Sequence, residues 1–402
     1  MRVRQQFVEW ATLVMLLSCL GVSQAETYAD TYARESGGGR PVPGFYGSIE
    51  ANLVSDENIR RTDSDEQFSL VPMIKPDLSW VAVERKHVFR LGYQGTYARF
   101  LSNHFEDFDD TTLYGDAFLS HSKKLRTAFG AAFRRGHDER GASGIIDIFQ
   151  RPNIWNQWSF KAEGLYGRKI AKAQAGLRWE ADRRRYLNNN QDFRDYNDWR
   201  LTGLFVYNLG SKTQLFFEPS YEKRNYLSSF DNVTDDLDNS TMRYLLGVSW
   251  ELTAKTTGVF KAGYYNRDYD GDIYEDGDGL ALSADITWQP KTYSKVNLIL
   301  SRDINDATQT VATNYVSTLA KLSWEHQLPR FKTLEIGVSY QNDEYNALRD
   351  DDIYNVNIGF SQSLSRRLSV GIRYDYDNRD SNLIGNNYKD NRITLGVRYV
   401  FR

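Results

Sequence analysis

The sequence lacks the hallmarks of several common protein classes. It has a single cysteine, Cys19, in 402 residues, which excludes a disulfide scaffold and a cysteine-based metal site. Eight prolines and 29 glycines exclude a collagen-like or linker-dominated chain. Beyond residue 25 there is no apolar run of the ~18 residues that a membrane helix needs. The charges nearly cancel, with 50 Lys and Arg against 53 Asp and Glu, so no nucleic acid partner is expected.

The chain instead combines a hydrophilic composition with many aromatic residues. Its mean hydropathy is −0.59, yet 26 Tyr, 21 Phe and 9 Trp make up 14% of the residues. A disordered chain does not carry so many aromatics. The composition indicates an all-β protein with many exposed turns, and a transmembrane β-barrel is one such protein.

The first 25 residues have the order of regions found in a secretory signal peptide. Arginines at residues 2 and 4 precede an apolar stretch over residues 10–22, which ends in small residues at Ser23 and Ala25. We predict cleavage after Ala25. Two alternatives are a buried helix and lipoprotein processing at Cys19, although the leucine two residues before that cysteine fits the lipoprotein pattern poorly.

Residues 26–44 are small, polar and rich in Gly and Pro, so we predict that they form a flexible periplasmic lead-in. A single hairpin pattern recurs after them. From 45 to 402, runs of about ten residues alternate between apolar and polar positions. Leu368–Tyr376 and Ile393–Phe401 show this strand period of two best. The runs number about 18, and they begin near residues 45, 67, 87, 111, 124, 156, 170, 197, 212, 240, 255, 279, 293, 314, 331, 352, 367 and 390.

The connections between these runs alternate between short ones, such as Ser365–Arg367, and long ones, such as Asn342–Asp351, along the chain. An even strand number with short turns at one end and long loops at the other is typical of outer-membrane barrels. We therefore predict an all-β, antiparallel up-and-down transmembrane barrel in the cell outer membrane, not a soluble sandwich or propeller. Aromatic residues also cluster at both ends of the strands, as expected for two girdles at the membrane interfaces. The periplasmic girdle consists of Tyr207, Trp250, Trp288, Trp324, Phe360 and Phe401, and the outer girdle consists of Tyr97, Phe133, Trp179, Tyr221, Tyr340 and Tyr376.

The C-terminus resembles an outer-membrane insertion signal. Thr394, Gly396, Tyr399 and Phe401 match its polar, glycine and two aromatic positions, although Arg402 follows the last aromatic. The alternative is an ordinary amphipathic strand that happens to end the chain. The signal would be read by the barrel assembly machinery.

A second resemblance lies near the start of the barrel. Asn52–Ile59 precedes a charged loop, which is followed by Phe68–Pro72 and by Phe89–Tyr93. This arrangement is similar to the putative beta-barrel porin 2 family of Gram-negative bacteria, whose members are often associated with exopolysaccharide or capsule loci. The resemblance implies an outer-membrane barrel associated with polysaccharide export, and it supplies no catalytic or ligand residues.

Strand alternation assigns polar side chains to the lumen. A barrel of 16 to 18 strands encloses water, so we expect these charges to remain solvated. Each could contribute to conduction or belong to charge ladders that stiffen the wall; the aromatics could stack on sugar rings or fill the lumen. The candidates are Arg126, Arg178, Arg200, Arg243, Lys261, Lys321, Arg373, Arg398, Tyr114, Phe216 and Tyr265.

No motif assigns catalysis, a cofactor or a metal. Neither GxSxG nor HExxH occurs, and the adjacent His137 and Asp138 fall in a predicted polar loop. The Asp-x-Asp-Gly spacing within Asp268–Asp278 suggests calcium, but the complete ligand set is not present. Acidic outer loops bridged to lipopolysaccharide by divalent ions are the simpler interpretation.

These observations predict a non-enzymatic channel for exopolysaccharide or capsular polysaccharide export. The alternatives are a general diffusion porin and a structural or adhesive outer-membrane barrel. The expected partners are outer-membrane lipids and lipopolysaccharide, periplasmic polysaccharide-export proteins and the polysaccharide cargo.

Overall fold

A computed structural model describes residues 42–145, 149–210, 212–228, 237–253, 255–271, 274–309, 312–347 and 349–401. The predicted signal peptide and most of the predicted lead-in lie outside the described residues. The first strand begins at Gly44, one residue before the predicted start of the barrel.

The described chain forms eighteen β-strands and two single-turn 3-10 helices, at His104–Glu106 and Asp192–Arg194. No helix in the described segments is long and apolar enough to cross a membrane. The strands are β1 (Gly44–Asp56), β2 (Ser69–Glu84), β3 (His87–Ala98), β4 (Phe108–Ser120), β5 (Leu125–His137), β6 (Ile154–Tyr166), β7 (Ala173–Tyr186), β8 (Tyr196–Asn208), β9 (Thr213–Tyr226), β10 (Asn239–Thr253), β11 (Thr256–Tyr269), β12 (Gly277–Lys291), β13 (Ser294–Gln309), β14 (Ala312–Leu328), β15 (Lys332–Tyr345), β16 (Asp350–Ser363), β17 (Leu368–Ser381) and β18 (Tyr388–Phe401).

The strands close into one antiparallel barrel. Each strand pairs with its neighbours in sequence, and β18 pairs with β1. At this closing seam Gly47 lies opposite Phe401 and Asp56 lies opposite Arg392. Closure leaves no unpaired sheet edge, and it confirms the predicted all-β, up-and-down barrel of 18 strands.

Apolar side chains face outward because the strand period places alternate residues on opposite faces. On β18, Ile393, Leu395, Val397 and Tyr399 are all more than 40% exposed, whereas the residues between them face the lumen. An apolar outer surface around a polar interior is the pattern expected of a barrel surrounded by lipid.

Short turns join the strands at one end of the barrel, and most long connections lie at the other. Outer-membrane barrels place the short turns in the periplasm. One long loop predicted from the sequence, Asn342–Asp351, is mostly strand, because β15 continues to Tyr345 and pairs with β16 as far as Asp350. Only residues 346–349 connect the two strands.

Candidate functional site

The lumen wall formed by β6 to β11 carries buried ion pairs, and we call it the paired wall. Arg178 contacts Glu163 at 2.9 Å, and Lys261 contacts Glu218 at 2.8 Å. Both cations are almost fully buried, with side-chain exposures of 2% and 1%. Their partners lie on β6 and β9, so each pair ties one strand to another.

One carboxylate of the paired wall serves several arginines. Glu222 on β9 accepts hydrogen bonds from Arg200 on β8 and, at 2.9 Å, from Arg243 on β10. Arg224, on the same strand, lies 3.7 Å from Glu222. Because carboxylates can accept several charge-assisted hydrogen bonds, Glu222 holds three arginines close together at the lumen face.

The paired wall extends to β13 near the extracellular end. Asp306 on β13 pairs with Arg224 on β9 and Arg267 on β11. Asp198 on β8 contacts Arg224 at 2.6 Å. These pairs bring together side chains from strands up to four apart in the barrel.

The seam wall, formed by β14 to β18, is built differently. Arg373 contacts Asp375 at 2.9 Å, but its side chain is 42% exposed. Arg398 makes a long hydrogen bond, 3.4 Å, to Ser48. Within the described residues, no carboxylate lies within 4 Å of the Lys321 ammonium. At this depth its cations therefore face the lumen with fewer carboxylate partners, whereas nearer the extracellular end Arg379 and Arg392 pair with Asp351 and Asp377.

A long loop enters the lumen from the extracellular end. We call residues 138–153, between β5 and β6, the mouth loop; 146–148 lie outside the described part of the chain. Asp138 fixes its base by accepting hydrogen bonds from Arg194 at 2.7 Å and from the Trp155 indole at 3.1 Å. The base of the loop is therefore held by its own and the following hairpin.

The far end of the mouth loop is bound to the opposite wall. The Ser143 hydroxyl donates to Asp343 on β15, and the Gly144 N–H donates to the Tyr345 hydroxyl at 2.9 Å. Arg379 on β17 donates to the Gly141 carbonyl. Because β15 lies nine strands from β6 in a ring of eighteen, the loop crosses the barrel from one side to the other.

Two glycines permit this close approach. Gly141 and Gly144 have φ values of +70° and +73°, which side-chain-bearing residues rarely adopt. A Cβ atom at Gly144 would lie 2.9 Å from the Tyr315 ring, and one at Gly141 would lie 2.9 Å from the Tyr388 ring. The loop backbone therefore packs directly against aromatic side chains on the lumen face of the strands.

An ion pair also fixes the mouth loop to a neighbouring connection at the same end of the barrel. Arg140 donates two hydrogen bonds of 2.8 Å to Glu106, in the connection between β3 and β4. Glu106 is 2% exposed. Arg60, from the connection between β1 and β2, donates to the carbonyl of Phe149. The mouth loop thus contacts other connections as well as the walls, and it narrows the extracellular opening.

Comparison with known proteins identifies the architecture. A family model described as putative beta-barrel porin 2 matches residues 44–401. The chain belongs to this family. The barrel is thus a porin-type channel of the outer membrane. A comparison with curated protein sequences finds no match.

Solved structures show the same fold at low sequence identity. Pseudomonas aeruginosa OccK2 (OpdF) in complex with glucuronate aligns with a TM-score of 0.50 and 11% identity, over 89% of this chain and 98% of that one. A BenF-like porin from Pseudomonas fluorescens Pf-5 aligns with a TM-score of 0.50 and 10% identity, over 89% and 99% of the two chains. At such identities the likeness concerns the fold alone.

Strand alternation places the eleven predicted side chains on the inner face of the barrel, but the expectation that their charges stay solvated is wrong for two of them. The charges are not uniformly solvated, because Arg178 and Lys261 are buried in ion pairs. Phe216 and Tyr265 are only 5% and 2% exposed, so neither offers a ring face for a sugar. Arg126, by contrast, donates to Gln174 from the lumen face of β5.

The buried aromatics lie over glycines on the neighbouring strand. The ring of Phe216 occupies the space beside Gly247, and the Tyr265 hydroxyl lies 2.8 Å from where a Cβ of Gly279 would stand. Tyr114 covers Gly92 in the same way, on β4 and β3. An aromatic ring over a strand glycine covers backbone that no side chain protects, so these residues complete the wall.

The predicted insertion signal forms part of the seam. Phe401 stacks on Phe45 of β1 at a centroid distance of 6.0 Å and on Tyr399 at 6.3 Å. Gly396 lies opposite Asn52, where a Cβ would come 2.5 Å from the amide oxygen. Thr394 lies in the same strand, opposite Val54. All four residues therefore lie in the strand that closes the barrel against β1. Their recognition as an insertion signal remains a prediction.

The residues considered for catalysis do not share a site. His137 is the last residue of β5, not part of a loop, and its Nδ1 lies 2.9 Å from Asp110. Asp138 instead binds Arg194 and Trp155. The adjacent pair of residues thus serves two separate structural contacts.

The carboxylates considered for calcium also have other partners. Asp270 contacts Lys223 at 2.6 Å, Asp276 accepts the N–H of Tyr269, and Asp278 accepts from Tyr264. Over the described part of the chain, no group of three or more His, Cys, Asp or Glu is placed to hold a metal ion.

Several lumen residues are absent from the sequence-based prediction, although the strand period places them on the inner face. On β9, Arg224 follows Glu218 and Glu222 at even spacing, so it shares their face. On β11, Arg267 follows Lys261 in the same way. Lys75 of β2, which pairs in register with Glu50, is a further missed cation. Residues of the mouth loop gave no such signal, because loops have no period.

Proposed function

We propose that this porin is a passive diffusion channel that admits small polar solutes and excludes polymers. The observation that supports it is the mouth loop, which is bound to Asp343, Tyr345 and Arg379 on the far wall. A loop held at both ends reduces the size of solute that can enter. Solutes would cross the polar lumen down their concentration gradients, so their passage requires no energy source.

The charges of the two walls suggest which small solutes pass most readily. The paired wall is close to neutral, because six of its cations are matched by six carboxylates, which are Glu163, Glu218, Glu222, Asp198, Asp303 and Asp306. The seam wall adds Lys321 and the half-exposed Arg373. We therefore expect anions to be preferred over cations. Glucuronate, present in one neighbouring structure, is a suitable anionic probe.

Polysaccharide export, which was predicted from the sequence, has no support in these observations. A polymer in transit needs a lumen that is wide along its whole length. The mouth loop crosses the extracellular end and is fixed by Glu106 as well as by the far wall. The general porin alternative fits this arrangement better.

Reconstitution in liposomes and planar bilayers tests the proposal. Wild-type barrels should admit glucuronate and neutral monosaccharides and should exclude dextran-like polymers. The double variant Ser143→Ala, Arg379→Gln removes two of the contacts that bind the mouth loop to the far wall. It should raise single-channel conductance and admit larger sugars.

Arg99→Gln is a matched control, because the side chain of Arg99 contacts Asp109 and the backbone of Ala98 and Phe108 and not the mouth loop, and both paired side chains are about half exposed. Its conductance should equal that of the wild type. Polymer entry through wild-type barrels as fast as sugar entry would refute the diffusion-porin proposal. Unchanged conductance in the double variant would show that the mouth loop does not limit passage.

We also propose that the chain reaches the outer membrane after cleavage behind Ala25 and is assembled through its last strand, β18. The leader pattern and the seam position of Phe401 support this route. N-terminal sequencing of the outer-membrane fraction should begin at Glu26. A soluble periplasmic form as the main product would contradict the route.

A further inference from the structure

An apolar groove opens on the lipid-facing surface near the periplasmic end of β6 to β10. It has a volume of about 670 Å³, within the range of small-molecule sites. The groove exists because β7 carries alanines where its neighbours carry rings. Ala173 pairs with Tyr207, and Ala175 lies between Tyr166 and Phe205.

The walls of the groove are large apolar side chains that already face lipid. Tyr166, Phe205 and Tyr207 are 59%, 51% and 44% exposed, and Leu215, Phe217 and Leu246 also line the groove. Because the small residues of β7 lie between large ones on its neighbours, the groove runs along the strand direction and is about one side chain deep. Its shape and apolarity match a hydrocarbon chain.

The periplasmic end of the groove is bordered by cations. Lys124 and Arg168 line it, and the two turns that carry them are tied together by a hydrogen bond of 2.7 Å from the Gly167 N–H to the Lys124 carbonyl. The Lys172 ammonium lies 5.3 Å from the Tyr207 ring centroid. The charged groups therefore lie at the depth of the lipid headgroups, beside the interfacial tyrosine.

The short turns beside the groove add further positive charge. The three consecutive turns at residues 121–124, 167–172 and 209–212 contain no Asp or Glu. Cations clustered at a membrane surface attract anionic lipid headgroups, with each one adding to the affinity. The six cations of these turns are Lys123, Lys124, Arg168, Lys169, Lys172 and Lys212.

We propose that this groove is a binding site for one anionic phospholipid of the periplasmic leaflet. An acyl chain lies along the alanines of β7, between the rings of β6 and β8. The phosphate is held by Lys124 and Arg168. Phe216 and Gln174 of the barrel wall also border the groove, but its exposed rings face lipid and its cations lie in the turns, so the site is distinct from the solute path.

Native mass spectrometry of the purified full barrel tests the site. Phosphatidylglycerol, phosphatidylethanolamine and inorganic phosphate are added in turn, and bound lipid is counted per barrel. The wild type should retain one phosphatidylglycerol in preference to phosphatidylethanolamine. Millimolar inorganic phosphate should not displace the lipid, because the acyl chain contributes to its binding.

Two variants probe the two ends of the site. Lys124→Gln with Arg168→Gln should lower phosphatidylglycerol affinity roughly tenfold or more, since two surface cations are lost. Ala175→Leu should fill the groove and give a similar loss. Matched controls are Arg366→Gln with Arg367→Gln in another periplasmic turn, and Ala51→Leu on the lipid face of β1; neither should change binding.

Heat-modifiable migration on gels verifies that every variant is a folded barrel. Equal lipid binding by the variants and their controls would overturn the site. Displacement by inorganic phosphate alone would show a headgroup site without an acyl groove. An oligomer of this chain that is lost specifically in Ala175→Leu, with lipid binding unchanged, would instead assign the groove to contact between copies.

Discussion

The paired wall and the seam wall use the same residue types in different ways. In the paired wall, Arg178 and Lys261 are 2% and 1% exposed and contact carboxylates on other strands. In the seam wall, a buried pair of Arg379 with Asp351 lies at the extracellular end, but at mid-barrel Arg373 is 42% exposed and its partner Asp375 lies two residues away on the same strand. The first arrangement joins strands, whereas the second leaves a charge in the lumen.

This difference separates stability from selectivity within one lumen. A buried pair is neutral as a unit and costs a great deal to break, because the remaining charge stays buried. An exposed pair contributes little to stability, but its charges act on passing ions through water. We therefore expect substitutions in the paired wall to alter unfolding, and those in the seam wall to alter ion preference.

The largest expected effect comes from removing the carboxylate that serves several arginines. Glu222→Gln leaves Arg200 and Arg243 without their shared partner, which should destabilise the barrel by about 3–5 kcal/mol. Asp375→Asn, in the seam wall, should cost about 1 kcal/mol or less because Arg373 remains hydrated. Urea unfolding of the two variants in lipid vesicles measures the difference.

Arg243→Gln provides a control for the first variant. It removes one of the arginines that contact Glu222, so it should destabilise the barrel less than Glu222→Gln does. If Glu222→Gln and Asp375→Asn unfold at the same urea concentration, the two walls do not differ in stability.

Glycine substitutions give a smaller test of the same contrast. Gly247→Ala in the paired wall meets the Phe216 ring, so it should cost about 1–3 kcal/mol. In the seam wall, a Cβ at Gly359 finds its nearest neighbour at 3.7 Å. Gly359→Ala should therefore be neutral or should stabilise the barrel by about 0.4–1 kcal/mol, because alanine lowers the conformational entropy of the unfolded chain. Equal unfolding midpoints would show that Phe216 moves aside without cost.

Period-two alternation made most of the fold predictable. Every strand begins within three residues of the start read from the sequence, because one face of each strand must be apolar and the other polar. Starts differ by up to three residues at both ends, and the one long loop that proves to be mostly strand lies at the extracellular end, where strands can continue beyond the membrane. There the outer face needs no apolar residues, so a sequence such as Asn342–Asp351 resembles a loop although it forms strand.

The site was predictable only as a list of inward-facing residues. Alternation identified Arg178, Arg243, Lys321 and Arg373 as lumen cations, but it could not tell which of them were paired. Pairing depends on side chains from strands up to four apart, as with Arg224 and Asp306. The curvature of the closed barrel sets these distances, and the sequence shows only the order of strands.

The smallest expected effects concern ion selectivity. Lys321→Met removes one seam-wall charge that has no carboxylate within 4 Å in the described residues, and it should weaken anion preference in planar bilayers. The change should be modest, because salt screens a single charge over roughly 8 Å. The double variant Lys261→Met, Glu218→Gln removes a whole buried pair from the paired wall. Its net charge and selectivity should both match the wild type.

This last comparison distinguishes position from charge. Lys261 and Lys321 are both lumen lysines, so a mechanism that depends only on the number of cations predicts the same change for each. A mechanism that depends on unpaired charge predicts a change for Lys321→Met alone, because the Lys261 ammonium is neutralised by Glu218 at 2.8 Å. Reversal potentials measured in a salt gradient decide between them. Equal shifts for the two variants would mean that the paired wall also contributes to the field experienced by ions.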